Sequence, residues 1–335
     1  MTSLTLETVD PTDEAALREW FTLRAAAQVH DVPDDVPPCW TDVRARLLVP
    51  VRGTAETVWL ARSGGRTVGA AQIMLPTLDN PDNAMVDLLV APEQRRRGFG
   101  RQLLEHLMDA GRTAGCKRLF VEAREPLDGG GPAPRFLTAM GGRKALADTR
   151  RRLRLDALDT AELARLRGEA ERAAAGYTLE QWFGAPPEHR LDGMAGLVAR
   201  MSTDVPLDDL HLAPEAWDAE RLRGMEASRD ARGLWRATTA AVAPDGALAG
   251  FSQVTGYATI GWFAHQSDTI VLGEHRGHRL GMLLKLANLD LVRERRPDVR
   301  VIDTYNADTN RHMIAINDAL GCYPFDRLGE WEIDL

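Results

Sequence analysis

The clearest chemistry in this sequence is carried by Arg95-Arg-Arg-Gly98-Phe-Gly100, a short turn that follows an apolar strand pattern and opens directly into an amphipathic helix pattern. Backbone N–H groups at a helix start have no intrahelical partner and carry the positive end of the helix dipole, and glycine lets a ligand approach the backbone closely. Arg95, Arg96 and Arg97 add positive charge around those amides, against the usual preference for acidic residues at a helix start. The turn reads as an anion site suited to a diphosphate, the alternative being a solvated helix N-terminus with surface arginines. It is not a Walker loop, since no Gly-Lys-Ser/Thr follows, nor the GxGxxG of a dinucleotide fold, so nucleotide hydrolysis and hydride transfer lose support.

The turn occurs twice. Val86-Asp-Leu-Leu-Val-Ala-Pro-Glu-Gln-Arg-Arg-Arg-Gly-Phe-Gly100 aligns with Ser267-Asp-Thr-Ile-Val-Leu-Gly-Glu-His-Arg-Gly-His-Arg-Leu-Gly281 at a constant offset of 181 residues. Asp87, Val90, Glu93, Arg95 and Gly100 meet identical partners in Asp268, Val271, Glu274, Arg276 and Gly281. The same register carries Arg118-Leu-Phe-Val-Glu122 onto Val299-Arg-Val-Ile-Asp303, and Asp31-Val-Pro33 returns as Asp204-Val-Pro206. Copy two departs at one place: Arg279 stands where copy one has Gly98, and Gly277 comes earlier. A duplicated domain explains the register.

The elements that must position these turns follow from periodicity. Copy one reads as strands near 4–9, 56–62, 66–75, 83–90, 117–123 and 149–155, with helices near 13–29, 41–48, 98–114 and 133–140. Copy two repeats the order with strands near 177–183, 234–242, 247–256, 260–271, 299–304 and 327–333 and helices near 188–200, 214–228, 279–295 and 310–319. The expected organisation is an N-terminal domain over 1–156, a connecting helix within 157–176 and a C-terminal domain over 177–335. A length of 335 residues suits two such cores.

Composition narrows the function classes. A net charge of −8 argues against a surface built to bind nucleic acid, and 44% hydrophobic with 27% charged residues is ordinary globular usage. No apolar run reaches the roughly 18 residues a membrane span needs, and the start lacks a secretory pattern, so a cytoplasmic protein without membrane contact is expected. Cys39, Cys116 and Cys322 are too scattered for a disulfide framework or a metal site; they read as small buried hydrophobes, and no metal is expected.

At the turn residues the chain resembles the GNAT superfamily of acyl-CoA-dependent N-acetyltransferases, whose signature is Arg/Gln-x-x-Gly-x-Gly/Ala between a strand and a helix. Arg95 to Gly100 fits that signature in full; Asp87-Leu-Leu-Val-Ala-Pro92 looks like the family's fourth strand, and Phe136-Leu-Thr-Ala-Met-Gly141 like its later helix and glycine turn. His275-Arg-Gly-His-Arg-Leu-Gly281 and Asn310-x-x-Met-Ile-x-Ile-Asn317-x-x-Leu-Gly321 are similar to a sub-group of tandem GNAT proteins. The resemblance implies an α/β (α+β) fold of two tandem domains, each a mixed, largely antiparallel twisted sheet flanked by helices. It also implies acetyl-CoA as cofactor, held where strands four and five splay apart. In copy one the contacts would be Leu88, Leu89 and Val90 on the strand and Arg95, Arg96, Arg97, Gly98, Phe99, Gly100 and Arg101 on the turn. In copy two they would be Val271, Arg276, Gly277, His278, Arg279, Leu280 and Gly281, with Asn310 beside them.

Acetyl transfer to an amine needs a base for the ammonium proton, amides for the developing oxyanion and an acid for the leaving thiol. Asp87 and Asp268, at one place on strand four, are candidate bases or else strand-edge carboxylates that face solvent or pair with arginine. His265 is a second candidate in copy two, or a hydrogen-bonded histidine near the sheet end. Where the family places a tyrosine acid the two copies have Leu137 and Asn317, so Asn317 is expected either to serve the site or, like Asn310, to be a capping or surface amide. Asp31, Asp34, Asp35, Asp204, Asp208 and Asp209, in the segments between the first two helices, either draw a cationic acceptor or are simply solvated. The expected activity is N-acetylation of a small-molecule primary amine, with an acyl-CoA-binding or sensory protein without turnover as the alternative. The expected assembly is a monomer or homodimer.

Overall fold

The computed structural model describes residues 4–204 and 208–335; Val205 and Pro206 of the second Asp-Val-Pro segment lie outside the described residues. The chain forms two compact units, residues 1–146 with 328–335, and residues 147–327. Residues 147–156 are thus part of the second unit and the last eight part of the first, a division different from the expected boundaries.

In the first unit β1 (Thr5–Thr8), β2 (Thr54–Ser63), β3 (Arg66–Pro76), β4 (Asn83–Val90) and β5 (Arg118–Glu125) stand in that order, with residues 328–334 beside β5. Helices α1 (Glu14–Asp31) and α2 (Trp40–Leu48) cover one face, and α3 (Phe99–Thr113) and α4 (Pro132–Ala139) the other. Strand alternation builds both cores. Val58 and Leu60 of β2 pack with Leu17 and Trp20 of α1, while Trp59 and Ala61 pack with Leu103, Leu104 and Leu107 of α3. On β4 the same alternation directs Leu88 and Val90 to the α3 side and Leu89 to the α1 side.

The second unit repeats this plan. Its β6 portion (Arg143–Arg154, residues 147–154) precedes α5 (Thr160–Ala173), β7 (Thr178–Phe183), α6 (Leu191–Asp204), α7 (Ala219–Ala231), β8 (Leu234–Val242) and β9 (Leu248–Tyr257). Then come β10 (Phe263–Val271), α8 (Leu280–Arg295), β11 (Val301–Ala307), α9 (Arg311–Ala319) and the first residues of β12 (Tyr323–Asp334). The connecting helix α5 packs on α8 through Leu166 and Ala170. Helix α7 starts later than expected because Asp218 caps it, accepting from the Arg221 amide at 2.7 Å. Among the described residues no helix is long and apolar enough to cross a membrane.

One parallel pair in each unit breaks the antiparallel pattern. Strand β4 pairs with β3 from Met85 to Val90 but with β5 only from Asn83 to Val86. Strand β10 pairs with β11 only from Phe263 to Gln266. The last residues of strand four therefore have neighbours on one side only. Gly69 and Gly250, which pair with Val90 and Val271, occupy positions where a Cβ would meet the backbone oxygen of Leu89 or Ile270.

The second unit also buries an ionic cluster. Asp303 receives Arg152 Nε at 2.7 Å and Arg152 Nη2 at 2.8 Å, and Arg150 Nη1 approaches at 3.3 Å. Arg150 also donates to Asp326 at 2.7 Å, and both guanidiniums lie over the Phe325 ring. Removing one member of a buried ion pair strands the others' charge at about 3–5 kcal/mol. Asp303→Ala should lower urea-unfolding stability by that amount, and a change below about 1 kcal/mol would show that the cluster carries no such burden.

Candidate active site

Helices α1, α5, α7 and α9 begin under an Asp or Asn side chain, whereas α3 and α8 have no side-chain cap and no acidic residue in the first turn. Their first amides are left for an anion. The backbone reaches them through two left-handed residues, Arg96 (φ 62°) and Gly98 (φ 86°) in the first unit and Gly277 (φ 88°) and Arg279 (φ 52°) in the second. Glycine and arginine have exchanged places, yet the chain takes one course in both units, at a cost of about 1 kcal/mol for each non-glycine residue held there. The departure at Arg279 thus leaves the turn's backbone intact. In the second unit the end of β10, the turn and the start of α9 line a cleft of about 930 Å³ that includes Thr269, Val271, Arg276, Gly281, Asn310 and Met313.

The side chains of the turn do other work than expected. Arg95 Nε donates to the Val90 carbonyl at 3.1 Å while its two terminal nitrogens hold Asp31 at 2.6 and 2.8 Å. Arg276 repeats this with the Val271 carbonyl at 3.1 Å and Asp204 at 3.0 Å. Burial would raise the Asp31 pKa, but the Arg95 hydrogen bonds and charge outweigh it and hold the carboxyl below its usual value. Each pair is a clasp between the end of strand four and the end of the first helix, so Asp31 and Asp204 are committed to it rather than waiting for an acceptor. Asp35 likewise accepts from the Val36 amide at 2.9 Å and lies 3.4 Å from Arg124, and Asp208 accepts from Thr309 at 3.0 Å; Asp34 and Asp209 are exposed.

Phe99 and Leu280, expected as cofactor contacts, are core residues that offer only their backbone. Arg97 donates to Gln94 and Arg101 lies 3.9 Å from Glu105. His278 contacts the Ala173 carbonyl at 3.3 Å and Arg279 holds Glu169 at 2.6 Å, tying the second turn to the end of α5.

On the opposite face of strand four the carboxylates are unequal. Asp87 is salt-bridged to Arg24 of α1. Glu122, on the same face of β5, carries no distinguishing signal in the sequence, since Arg118 and Arg124 share its face. Its side chain is exposed, yet the protein crowded around it raises its pKa by desolvation against the opposing charge of Arg124, and the Asp87 charge adds to the rise. In the second unit the equivalent β11 carboxylate, Asp303, is locked by arginines, and Asp268 is the one whose pKa desolvation raises, opposed by Arg229. Each unit therefore keeps one carboxyl with raised proton affinity beside the strand opening. His265 packs edge-on to Phe263 at 4.6 Å in the paired part of β10. Among the described residues no cluster of His, Cys, Asp or Glu is placed to hold a metal ion.

Asn317 is neither a surface amide nor a cap. It is 1% exposed and accepts from Lys285 Nζ at 2.8 Å, with its own amide donating to Asn306 at 2.5 Å. Asn310 does cap α9, accepting from the Met313 amide at 3.2 Å. The buried ammonium of Lys285 is pushed down to about 8 by desolvation, and the Cys322 thiol beside it is pushed up to about 11 by burial. Unfolded lysine titrates near 10.4, so the folded state carries its full penalty below about pH 8 and sheds it as pH rises toward about 10. Lys285→Met, which removes the titration, should therefore gain stability relative to the unsubstituted chain at pH 7 and lose that advantage progressively between about pH 8 and 10. Urea unfolding across that range tests this, and a difference independent of pH would refute it.

The Acetyltransferase (GNAT) family model matches residues 15–129. A tandem GNAT protein from the clavulanic acid biosynthesis pathway is similar over 99% of this chain and 98% of its own, with 34% identity and a TM-score of 0.83. A GCN5-related N-acetyltransferase from Sphaerobacter thermophilus shares the fold with 17% identity, 99% and 95% coverage and a TM-score of 0.68. The N-myristoyltransferase of Saccharomyces cerevisiae with bound myristoyl-CoA does so with 11% identity, 100% and 79% coverage and a TM-score of 0.63. Comparison with curated proteins returns no match. With a doubled strand-turn-helix unit and a 34% identical tandem relative along almost its whole length, the chain belongs to the GNAT acetyltransferase family as a tandem, two-domain member.

Proposed function

We propose that the protein transfers the acetyl group of acetyl-CoA to a primary amine of a small molecule by direct attack, with one acetyl-CoA site in each unit. The observation that carries the reading is the repeated combination of an uncapped helix start, a left-handed turn and a strand four that leaves its neighbour. Gly98 and Gly277 have open space where a Cβ would stand, which suits a pyrophosphate against the turn amides. Amides at the starts of α3 and α8 would hold the phosphates and alternate amides of 88–90 and 269–271 the acyl carbonyl. Acetyl-CoA, when bound, supplies the activated thioester.

Glu122 in the first unit and Asp268 in the second would take the ammonium proton of the acceptor. The amine nitrogen then bonds the acetyl carbon, the carbon–sulfur bond breaks, and the nitrogen's second proton passes through water to the departing thiolate. Strand-four amides would offset the charge that grows on the carbonyl oxygen. A second reading, acyl-CoA binding without turnover, is favoured by the absence of a proton donor at Leu137 and by the commitment of Asn317 to Lys285.

Native mass spectrometry with acetyl-CoA should find two bound per chain, falling to one in Arg96→Glu and in Arg279→Glu as the reversed charge weakens each site by about tenfold or more. Zero bound overturns the proposal, and binding with no thiol release across an amine panel favours the second reading. Because the base must be ionised, kcat/KM should fall as pH drops through a carboxyl pKa above the ordinary range. Glu122→Gln with Asp268→Asn should lower kcat/KM by about 10²-fold or more, and an unchanged profile would remove both carboxyls from the role.

A further inference from the structure

On the side of strand four away from the turn, both units bring together an aspartate, a glutamine from the neighbouring strand and an arginine. The first unit has Asp87, Gln72 opposite it in the β3–β4 register, and Arg24. The second has Asp268, Gln253, and Arg229, whose Nη1 donates to Glu226 at 2.8 Å and to Gln253 at 3.2 Å and whose charge acts on Asp268. Asp87 with Asp268 and Gln72 with Gln253 keep the 181-residue offset, but the arginines do not. Arg24 comes from α1, the first helix of its unit, and Arg229 from α7, the second of its own. The two units thus draw the guanidinium near this aspartate from different helices. In the first unit the pair is half-exposed and worth about 0–1 kcal/mol, too little to be its purpose by stability alone.

Arg24 also has capacity to spare. One terminal nitrogen engages Asp87, the guanidinium lies 4.8 Å over the Trp20 ring, and Nη1 is buried without a hydrogen-bond partner. A buried donor left unmade costs free energy that a ligand oxygen would recover. An aspartate and an arginine side by side match one molecular class well, a group bearing ammonium and carboxylate one carbon apart.

We propose that in each unit the strand-four aspartate and its helix-borne arginine recognise the zwitterionic head of an α-amino acid, the aspartate drawing the ammonium and the arginine the carboxylate. This rests on the transferase reading and names the acceptor class for it. The carboxylate fixes the acceptor so that its nitrogen lies at the strand opening, beside Glu122 or Asp268. Arg24 and Arg229 are thus specificity residues for the acceptor.

The test uses the full-length chain with acetyl-CoA and a panel of L-α-amino acids, their methyl esters and the matching decarboxylated amines, read by thiol release and by thermal shift. The acids should react with kcat/KM roughly tenfold to a hundredfold above their esters. Arg24→Gln combined with Arg229→Gln should erase that preference through KM and be rescued in part by the lysine pair, which keeps the charge should the glutamine pair misfold. Esters or decarboxylated amines reacting as well as the acids would overturn the inference while sparing the transferase reading. Thermal shifts from the acids alone, with no thiol release from any compound, would keep the recognition site and overturn the transfer chemistry. No shift and no turnover with any acid overturns the inference.

Discussion

Two parallel strands that stop pairing after four residues set the terms for the rest of each unit. Backbone N–H and C=O groups inside a protein need partners, and among the described residues β4 past Val86 and β10 past Gln266 have no ladder partner in β5 or β11. That edge is stable only because other groups hold it: Arg95 and Arg276 reach back to the strand-end carbonyls, and Gly69 and Gly250 let strand three stay close where a side chain would push it off. The uncapped helix starts follow directly after the opening. Unpaired strand amides and unpaired helix amides therefore lie in sequence along one short stretch of chain, a layout that fits an elongated molecule with a phosphate at one end and an acyl carbonyl at the other.

The duplication keeps this backbone scheme and lets the side chains change. Left-handed residues stay at the same two positions although glycine and arginine have traded places, because what the turn must supply is a course of the main chain. The clasp also persists, with the same arginine meeting an aspartate at the end of the first helix in both units. By contrast, the carboxyl of raised pKa is on strand five in the first unit and strand four in the second. Arg150 and Arg152 commit Asp303 to the buried cluster, and Asp268 is the carboxyl of the second unit left beside the opening.

Much of this was legible in the sequence because it depends on backbone periodicity. Strand and helix order, the doubled turn and the offset of 181 residues all come from patterns that a one-residue slip would destroy. The assignments that changed depend on distant partners. Nothing near Asp31 announces Arg95, 64 residues away, and nothing near Asn317 announces Lys285, 32 residues away in a buried core. Glu122 is one of several charged residues on β5, with Arg118, Arg124 and Glu125, and its raised pKa comes from the surrounding protein and from Asp87 across the opening. The last eight residues belong to the first unit, although position in the chain puts them with the second.

Lys285 marks how far the two cores have parted. The same register in the first unit places Leu104 there, fully buried in an apolar cluster, and Leu137 where the second unit has Asn317. A leucine pair would satisfy the packing with no desolvation, so the lysine and asparagine hold a costlier arrangement in the second core. The cost is bounded by the chain Lys285–Asn317–Asn306, which gives the ammonium an acceptor and carries the polarity out to β11, the strand that leaves β10 two residues earlier. A buried polar chain of this kind fixes the relative positions of α8, α9 and β11 more narrowly than leucines could, since hydrogen bonds have direction and dispersion contacts do not. The three elements it joins are those that border the opening of the second unit, and the first unit, without such a chain, relies on close apolar packing around Phe99, Leu104 and Leu137 for the same purpose.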